Sequence, residues 1–206
     1  MTLPDPARID AEAERSRLID EALETARCAH AGQIRNGSGG MPYIEHPRTV
    51  AALLAEHGYD EPVLAAALLH DVVEDSEVTV AELYDRFGEP IAGLVAALSD
   101  DESIEDYRER KREHRQRVAA ADGDALAVYG ADKLANVTTL RGAYARQGEA
   151  VAAEFKVPLE IKLEVWEADA ELLGEQAPQL PFLGQLREEL SLLRADRAAA
   201  GPRRGI

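Results

Sequence analysis

Seven consecutive apolar residues, Val63 to Leu69, run directly into a polar stretch, His70-Asp71-Val72-Val73-Glu74-Asp75. A helix over the apolar run is hydrophobic on every side, which predicts burial rather than a place on the surface. Continued through the polar stretch, helical spacing puts His70 and Glu74 on one face at i, i+4, and Asp71 and Asp75 on the face beside it. Upstream, Ile9, Leu18, Ala22, Leu23, Ala26 and Ala29 recur at helical intervals and predict one amphipathic helix from Ala7 to about Ala31. Gly37, Gly39, Gly40 and Pro42 break the pattern over residues 32–42, a loop composition. Pro47 suits a first helical turn, and Val50, Ala51, Leu53 and Leu54 carry that helix to Gly58, with His46 at its entrance.

Downstream, Thr79-Val80-Ala81-Glu82 has the form of a capping box, opening a helix that ends near Phe87-Gly88. Pro90 opens the next, lined by Ile91, Leu94, Val95 and Leu98. Ser103 and Asp106 offer a second capping pattern before a charged helix, Tyr107 to Ala121, and Asp122-Gly123-Asp124 ends it. Ala125 to Leu140 is again helical, as are Gln147 to about Leu173, divided near Pro158, and Leu180 to Ala200. No alternating pattern of convincing length and no fixed repeat occurs, so the expected fold is all-α. One domain over residues 1–206 is expected, with its core at about 8–173, closing helices at about 147–200, and frayed ends at Met1 to Pro6 and Gly201 to Ile206.

The formal net charge of −16 excludes non-specific nucleic-acid binding and docking on an anionic membrane as leading functions. The lone cysteine, Cys28, allows neither an internal disulfide nor a cysteine-rich zinc site. With no signal-type apolar start and no run of membrane-spanning length, the expected setting is a reducing cytoplasm.

Carboxylates buried beside a histidine are costly unless a divalent cation compensates. Four residues from three separate elements are candidates to hold one: His46, His70 with Asp71, and Asp132. Two imidazoles with two carboxylates suit Mn²⁺, Fe²⁺ or Zn²⁺, and octahedral Mn²⁺ is preferred. Glu74 and Asp75, one turn on, are carboxylates that could orient a water. His30 reads as a packed or surface histidine, His57 as a helix C-terminal cation, His114 as part of a charged face, and Trp166 as core. Six cations between Arg108 and Arg117, interleaved with Glu109 and Glu113, read as a solvated face held by i, i+4 pairs, from which one or two are expected to reach phosphates, with Arg112 and Arg115 the positions to test.

The blocks Pro42-Tyr43-Ile44-Glu45-His46-Pro47, Ala66 through His70-Asp71 to Asp75, Phe87-Gly88, and Ala131-Asp132-Lys133-Leu134-Ala135-Asn136 stand in a telling order. Together they resemble the HD superfamily of metal-dependent phosphohydrolases, and over Ala26 to Leu140 they resemble the small alarmone hydrolases among the RelA/SpoT homologues. That resemblance implies an HD-type helical bundle and one Mn²⁺ held by His46, His70, Asp71 and Asp132. It implies that Glu74 and Asp75 position the attacking water, and that Arg35, Asn36, Lys133 and Asn136 lie on the substrate side. The implied reaction is removal of the 3′-pyrophosphate from guanosine penta- or tetraphosphate, a small phosphorylated guanine nucleotide. Two positions depart from the pattern: Asn36 stands where these enzymes commonly carry a lysine against the purine, and Thr138 replaces a basic residue. Gln147 to Ile206 reads only as closing helices, so hydrolysis without synthesis is expected. The alternatives are the same chemistry on another phosphorylated nucleotide, such as the 2′-phosphate of NADPH or a nucleoside monophosphate, and a non-catalytic scaffold.

Overall fold

The computed structural model describes residues 2–121 and 123–200 and opens with two helices where apolar spacing predicts one: α1 (Ala7–Ala13) and α2 (Arg17–Ala29). Ser16 makes the break. Its backbone is extended, its hydroxyl accepts from the Ile19 N–H, and the same hydroxyl donates to Glu61 at 2.7 Å. A serine that caps a new helix competes with continuation of the old one, and apolar periodicity carries no trace of that competition.

After the glycine loop, closed by an isolated bridge between Ile34 and Pro42, α3 (Glu45–Glu56) takes His46 and Pro47 into its first turn. In α4 (Glu61–Leu69) every residue from Val63 to Leu69 is buried, as an all-round apolar run requires. The expected continuous helix stops there. The chain passes through His70 and Asp71 into a separate single turn, α5 (Val72–Asp75), although the Asp75 N–H still reaches the Asp71 carbonyl at 3.0 Å.

Both halves of the capping box form at the start of α6 (Val80–Phe87): Thr79 accepts from the Glu82 N–H, and Glu82 from the Thr79 N–H. Pro90 lies in the first turn of α7 (Glu89–Leu98). Asp106 caps α8 (Tyr107–Ala120) by accepting from the Glu109 N–H at 2.8 Å, while Ser103 turns back to Asp101. The long α9 (Gly123–Gln147) carries Asp132, Lys133 and Asn136; of the break expected before it, Asp122 lies outside the described residues. A 3₁₀ segment (Gly148–Glu154) and Pro158 separate α9 from α10 (Leu159–Gln176), and α11 (Leu183–Ala200) closes the chain.

α4 sits in the middle, against α2, α3, α7 and α9. The closing helices complete this core: Leu180, Phe182, Leu186, Leu190 and Leu193 are buried, and α11 packs along α9. At Gly130 of α9 an added Cβ would stand 3.1–3.3 Å from Phe182, Leu173 and Leu180, so the absent side chain is what permits that close approach. Among the described residues there is no strand, as expected, and no helix is long and apolar enough to cross a membrane. Met1 and Gly201 to Ile206, expected as frayed ends, lie outside the described residues.

Candidate active site

The first turn of α3, the turn between α4 and α5, and the middle of α9 converge. One ligating atom each from His46, His70 and Asp132 lies within 4.8 Å of the others, and all three residues are buried. His46 Nε2 is 3.0 Å from Asp132 Oδ1. Asp71 borders the group with both oxygens, Oδ2 at 3.5 Å from His46 Nε2 and Oδ1 at 3.1 Å from His70 Nε2.

His70 Nδ1 lies 2.8 Å from the Ala67 carbonyl, to which only an N–H can donate, so the proton of a neutral ring is on Nδ1 and the Nε2 lone pair is free. Nε2 is buried and makes no hydrogen bond among the described residues. A bare imidazole nitrogen facing carboxylate oxygens calls for a positive charge between them. Burial pulls the His70 pKa down, yet Asp71 and Asp132 outweigh it and raise it to about 9, the same demand expressed as proton affinity. Burial, helped by Arg35, lowers His46 to about 4, so this ring is neutral and available as a donor. Burial opposes ionisation of Asp132, but Lys133 and His46 hold its carboxyl well below the usual range. A donor set of two imidazoles and two carboxylates with one tautomer locked fits a divalent transition metal.

Each carboxylate of the set is braced from behind. Tyr43 donates its hydroxyl to Asp71 Oδ2 at 2.8 Å, Lys133 Nζ donates to Asp132 Oδ2 at 2.7 Å, and Asn136 Nδ2 donates to Asp132 Oδ1. Lys133, expected on the substrate side, borders the cavity and also pairs with Asp132. The cause is its place next to Asp132 on a buried helix face, where an ammonium needs a counter-ion.

Glu74 lines the same cavity, and its Oε1 accepts from the backbone N–H of Asp100 at 2.7 Å. Burial, with the charges of Asp71 and Asp100, pushes the Glu74 pKa up to about 7. Asp75 stands at the solvent edge of the site. It is exposed at the end of the one-turn α5, outside the cavity lining, and its carbonyl is taken by Gln33 at 2.7 Å. Burial, with the charge of Asp71, nonetheless raises the Asp75 pKa against Tyr43, His30 and His70, so its carboxylate remains within electrostatic reach of the donor cluster.

Arg35 is buried, with its guanidinium over the Tyr43 ring at 5.7 Å and donating to Asn136 Oδ1 at 2.7 Å. The Tyr43 ring also stacks on His30, which packs rather than ligates, as expected. Asn36 is exposed at the cavity edge. The glycine loop is pinned as well as bent: the Gly37 N–H reaches Glu154 at 2.6 Å, and a Cβ at Gly37, whose φ is +71°, would stand 2.8 Å from the Phe155 ring.

The basic run of α8 is not the free face its composition suggests. Arg108 pairs with Glu164, Arg110 and Lys111 with Asp100, Arg112 with Glu109, Arg115 with Asp169 and Arg117 with Glu113. Of the two cations singled out for phosphates, Arg112 points to solvent and Arg115 is held by a buried aspartate. Lys111 does line the cavity, as does His114, which is buried against Tyr129 rather than sharing a charged surface.

The wall opposite the metal-type donors escaped sequence reasoning. Lys162 Nζ stands 5.0 Å from the Phe155 ring, 5.3 Å from Trp166 and 5.8 Å from Tyr107, with no carboxylate partner among the described residues. Burial, with Lys111 and Lys133 nearby, lowers its pKa to about 8. The i, i+4 spacing of Lys162 and Trp166 was the one available signal; Tyr107 and Phe155 left none.

This arrangement has close parallels. Guanosine-3′,5′-bis(diphosphate) 3′-pyrophosphohydrolase MESH1 of Drosophila melanogaster is 37% identical over 123 residues, 59% of this chain and 68% of its own length. The enzyme of that name from Aquifex aeolicus is 36% identical over 164 residues, 77% of this chain but 23% of its own length. The chain thus spans about a fifth of the long bacterial relatives it matches, the bifunctional (p)ppGpp synthase/hydrolase SpoT of Escherichia coli included. Among solved structures, a metazoan SpoT ortholog that hydrolyses ppGpp superposes with a TM-score of 0.68 at 28% identity, over 88% of this chain and 96% of that one. The lmo0812 protein of Listeria monocytogenes superposes with a TM-score of 0.66, also at 28% identity, over 72% of this chain and 97% of that one. The HD domain family profile matches residues 22–157, from the middle of α2 to the residue before Pro158, and so takes in every donor of the cluster. By that match and by its likeness to these enzymes, the chain belongs to the HD domain family.

Proposed function

We propose that this protein hydrolyses the 3′-pyrophosphate of guanosine tetra- or pentaphosphate, giving GDP or GTP and pyrophosphate. The observation that carries the reading is the cluster of His46, His70 and Asp132 with Glu74 in the same cavity. A relative bearing that activity in its name, two thirds of whose length this chain covers, supports the choice of substrate. HD domains imply a divalent cation, and the mixed nitrogen and oxygen donors favour manganese. His46, His70, Asp71 and Asp132 would hold it; when bound, such an ion lowers the pKa of water and withdraws charge from phosphoryl oxygens.

The remaining steps belong to the chain's own side chains. Glu74, with a pKa near 7, accepts the proton of the attacking water at neutral pH, a contribution of about 10²–10⁴ in rate. Arg35, already oriented by Tyr43 and Asn136, presents its donor fork to a phosphate. Lys162 offers an uncompensated positive charge to the phosphates farther from the reacting centre, and the aromatic rings around it exclude water from that end. A cytoplasmic setting goes with a substrate of this kind.

The test is a product assay with Mn²⁺ and other divalent cations on guanosine tetraphosphate, resolving pyrophosphate from orthophosphate, with a chelator control. Chelator-sensitive release of pyrophosphate and GDP is the expected result. Orthophosphate alone, or no product, rejects the substrate and moves the protein to a panel that includes NADPH.

A further inference from the structure

α7 ends at Ser99, where the backbone turns extended, and the next residue supplies an N–H that holds Glu74. Nothing local dictates the direction of that N–H, because the helix has ended and Asp101 begins an exposed turn. The direction is imposed from α8. Lys111 Nζ donates to Asp100 Oδ2 at 2.6 Å, Arg110 Nε to the same oxygen at 3.3 Å, and Arg110 also donates to the Ile104 carbonyl at 2.8 Å. Arg117 donates to the carbonyl of Ser99, and His114 Nδ1 lies 2.8 Å from Asp100 Oδ1. The Asp100 side chain is only 7% exposed.

We propose that Asp100 is a positioning residue for the reaction: its carboxylate, clamped by Lys111 and Arg110, aims its own backbone N–H at Glu74 and keeps Lys111 from pairing with Glu74 instead. This rests on the reading of Glu74 as the group that takes the proton from water. Lys111 and Glu74 line the same cavity, and Lys111 acts on Glu74 by lowering its proton affinity. A Lys111 released from Asp100 is free to swing onto Glu74, turning a basic carboxylate into half of an ion pair. A carboxylate that loses its N–H also loses its orientation toward the donor cluster, and a misplacement of about 1 Å costs on the order of 10²-fold in rate. The charged helix α8, which supplies none of the metal-type donors named above, thereby acts on catalysis through one peptide group.

The decisive experiment is a double-mutant cycle. Asp100→Ala lowers kcat on the order of 10²-fold, with KM and Mn²⁺ affinity within about twofold of the parent. Asp100→Asn, which keeps an acceptor for Lys111, recovers most of that loss. In a Glu74→Gln background, Asp100→Ala has no further effect on kcat. An equal fold-loss in both backgrounds, or a loss confined to KM, overturns the proposal, since a merely structural role predicts that result. A second arm needs no substrate and serves where Asp100→Ala does not fold: Lys111→Met speeds hydrogen exchange at the Asp100 amide about tenfold more than at the amides of the core helix α4, which report global unfolding. Unaltered exchange at that amide overturns the clamp. Because exchange is read without turnover, a protein that releases no pyrophosphate fails the proposed substrate and still decides the role of Asp100.

Discussion

Helix α4, which hands His70 to the cavity, and helix α8, which lines it with Tyr107, Lys111 and His114, have opposite compositions. Along α4 every residue from Val63 to Leu69 is apolar and buried, and the helix delivers His70 from the middle of the core. α8 is charged nearly all round, yet His114 and Val118 are buried, and Arg108, Arg110, Lys111 and Arg115 end on aspartates and glutamates outside the helix. One helix is held by area removed from water, the other by partners that must be in place. Apolar packing tolerates exchange of one hydrophobe for another, whereas a buried ion pair that loses one member leaves an uncompensated charge.

The largest effect is expected where α4 hands over to the site. His70→Ala should abolish tight Mn²⁺ binding in a calorimetric titration and lower turnover on the order of 10³-fold or more. Undiminished metal binding would break the assignment of α4 as the side that holds the cation. In denaturant unfolding, Arg115→Ala should cost about 3 kcal/mol, because Asp169 is 1% exposed and loses its cation. That is as much as Leu68→Ala, at about 2–5 kcal/mol, costs in the apolar helix. Adding Asp169→Asn should recover much of the Arg115 loss; an additive double mutant would show that the pair does not carry α8. Smaller again, Tyr43→Phe should weaken Mn²⁺ binding about tenfold by freeing Asp71 Oδ2. Lys162 is charged below its pKa of about 8 and neutral above it, so KM for a nucleotide polyphosphate should rise a few-fold as pH passes upward through 8. That rise should vanish in Lys162→Met. Arg112→Ala, on a side chain 63% exposed, should change stability by less than about 0.5 kcal/mol.

The same contrast explains what could be read from the chain beforehand. α4, the capping box at Thr79, and the convergence of His46, His70 and Asp132 were legible because each depends on neighbours in sequence or on a motif of fixed order. The break at Ser16 was not, since its hydroxyl is shared with Glu61 on another helix. Lys133 was read for the substrate side alone, because sequence shows a cation beside a ligand without showing that the two pair. Glu74 and Asp75 read as one pair, and the end of α5 gives them different surroundings, the cavity for Glu74 and the solvent edge for Asp75. For α8 the sequence shows six cations and none of their distant partners, and the wall of Tyr107, Phe155, Lys162 and Trp166 draws on three separate segments.

The donors His46, His70 and Asp132 arrive on α3, at the end of α4 and on α9, each anchored in the same core. A cation gripped by all three is also a fastener, because it binds the folded chain and finds no such arrangement in the unfolded one. At a free concentration one hundred times its dissociation constant it would add about 2.7 kcal/mol to stability. Metal supply would then govern the abundance of the protein as well as its rate, with a starved chain both idle and opened more often to proteolysis.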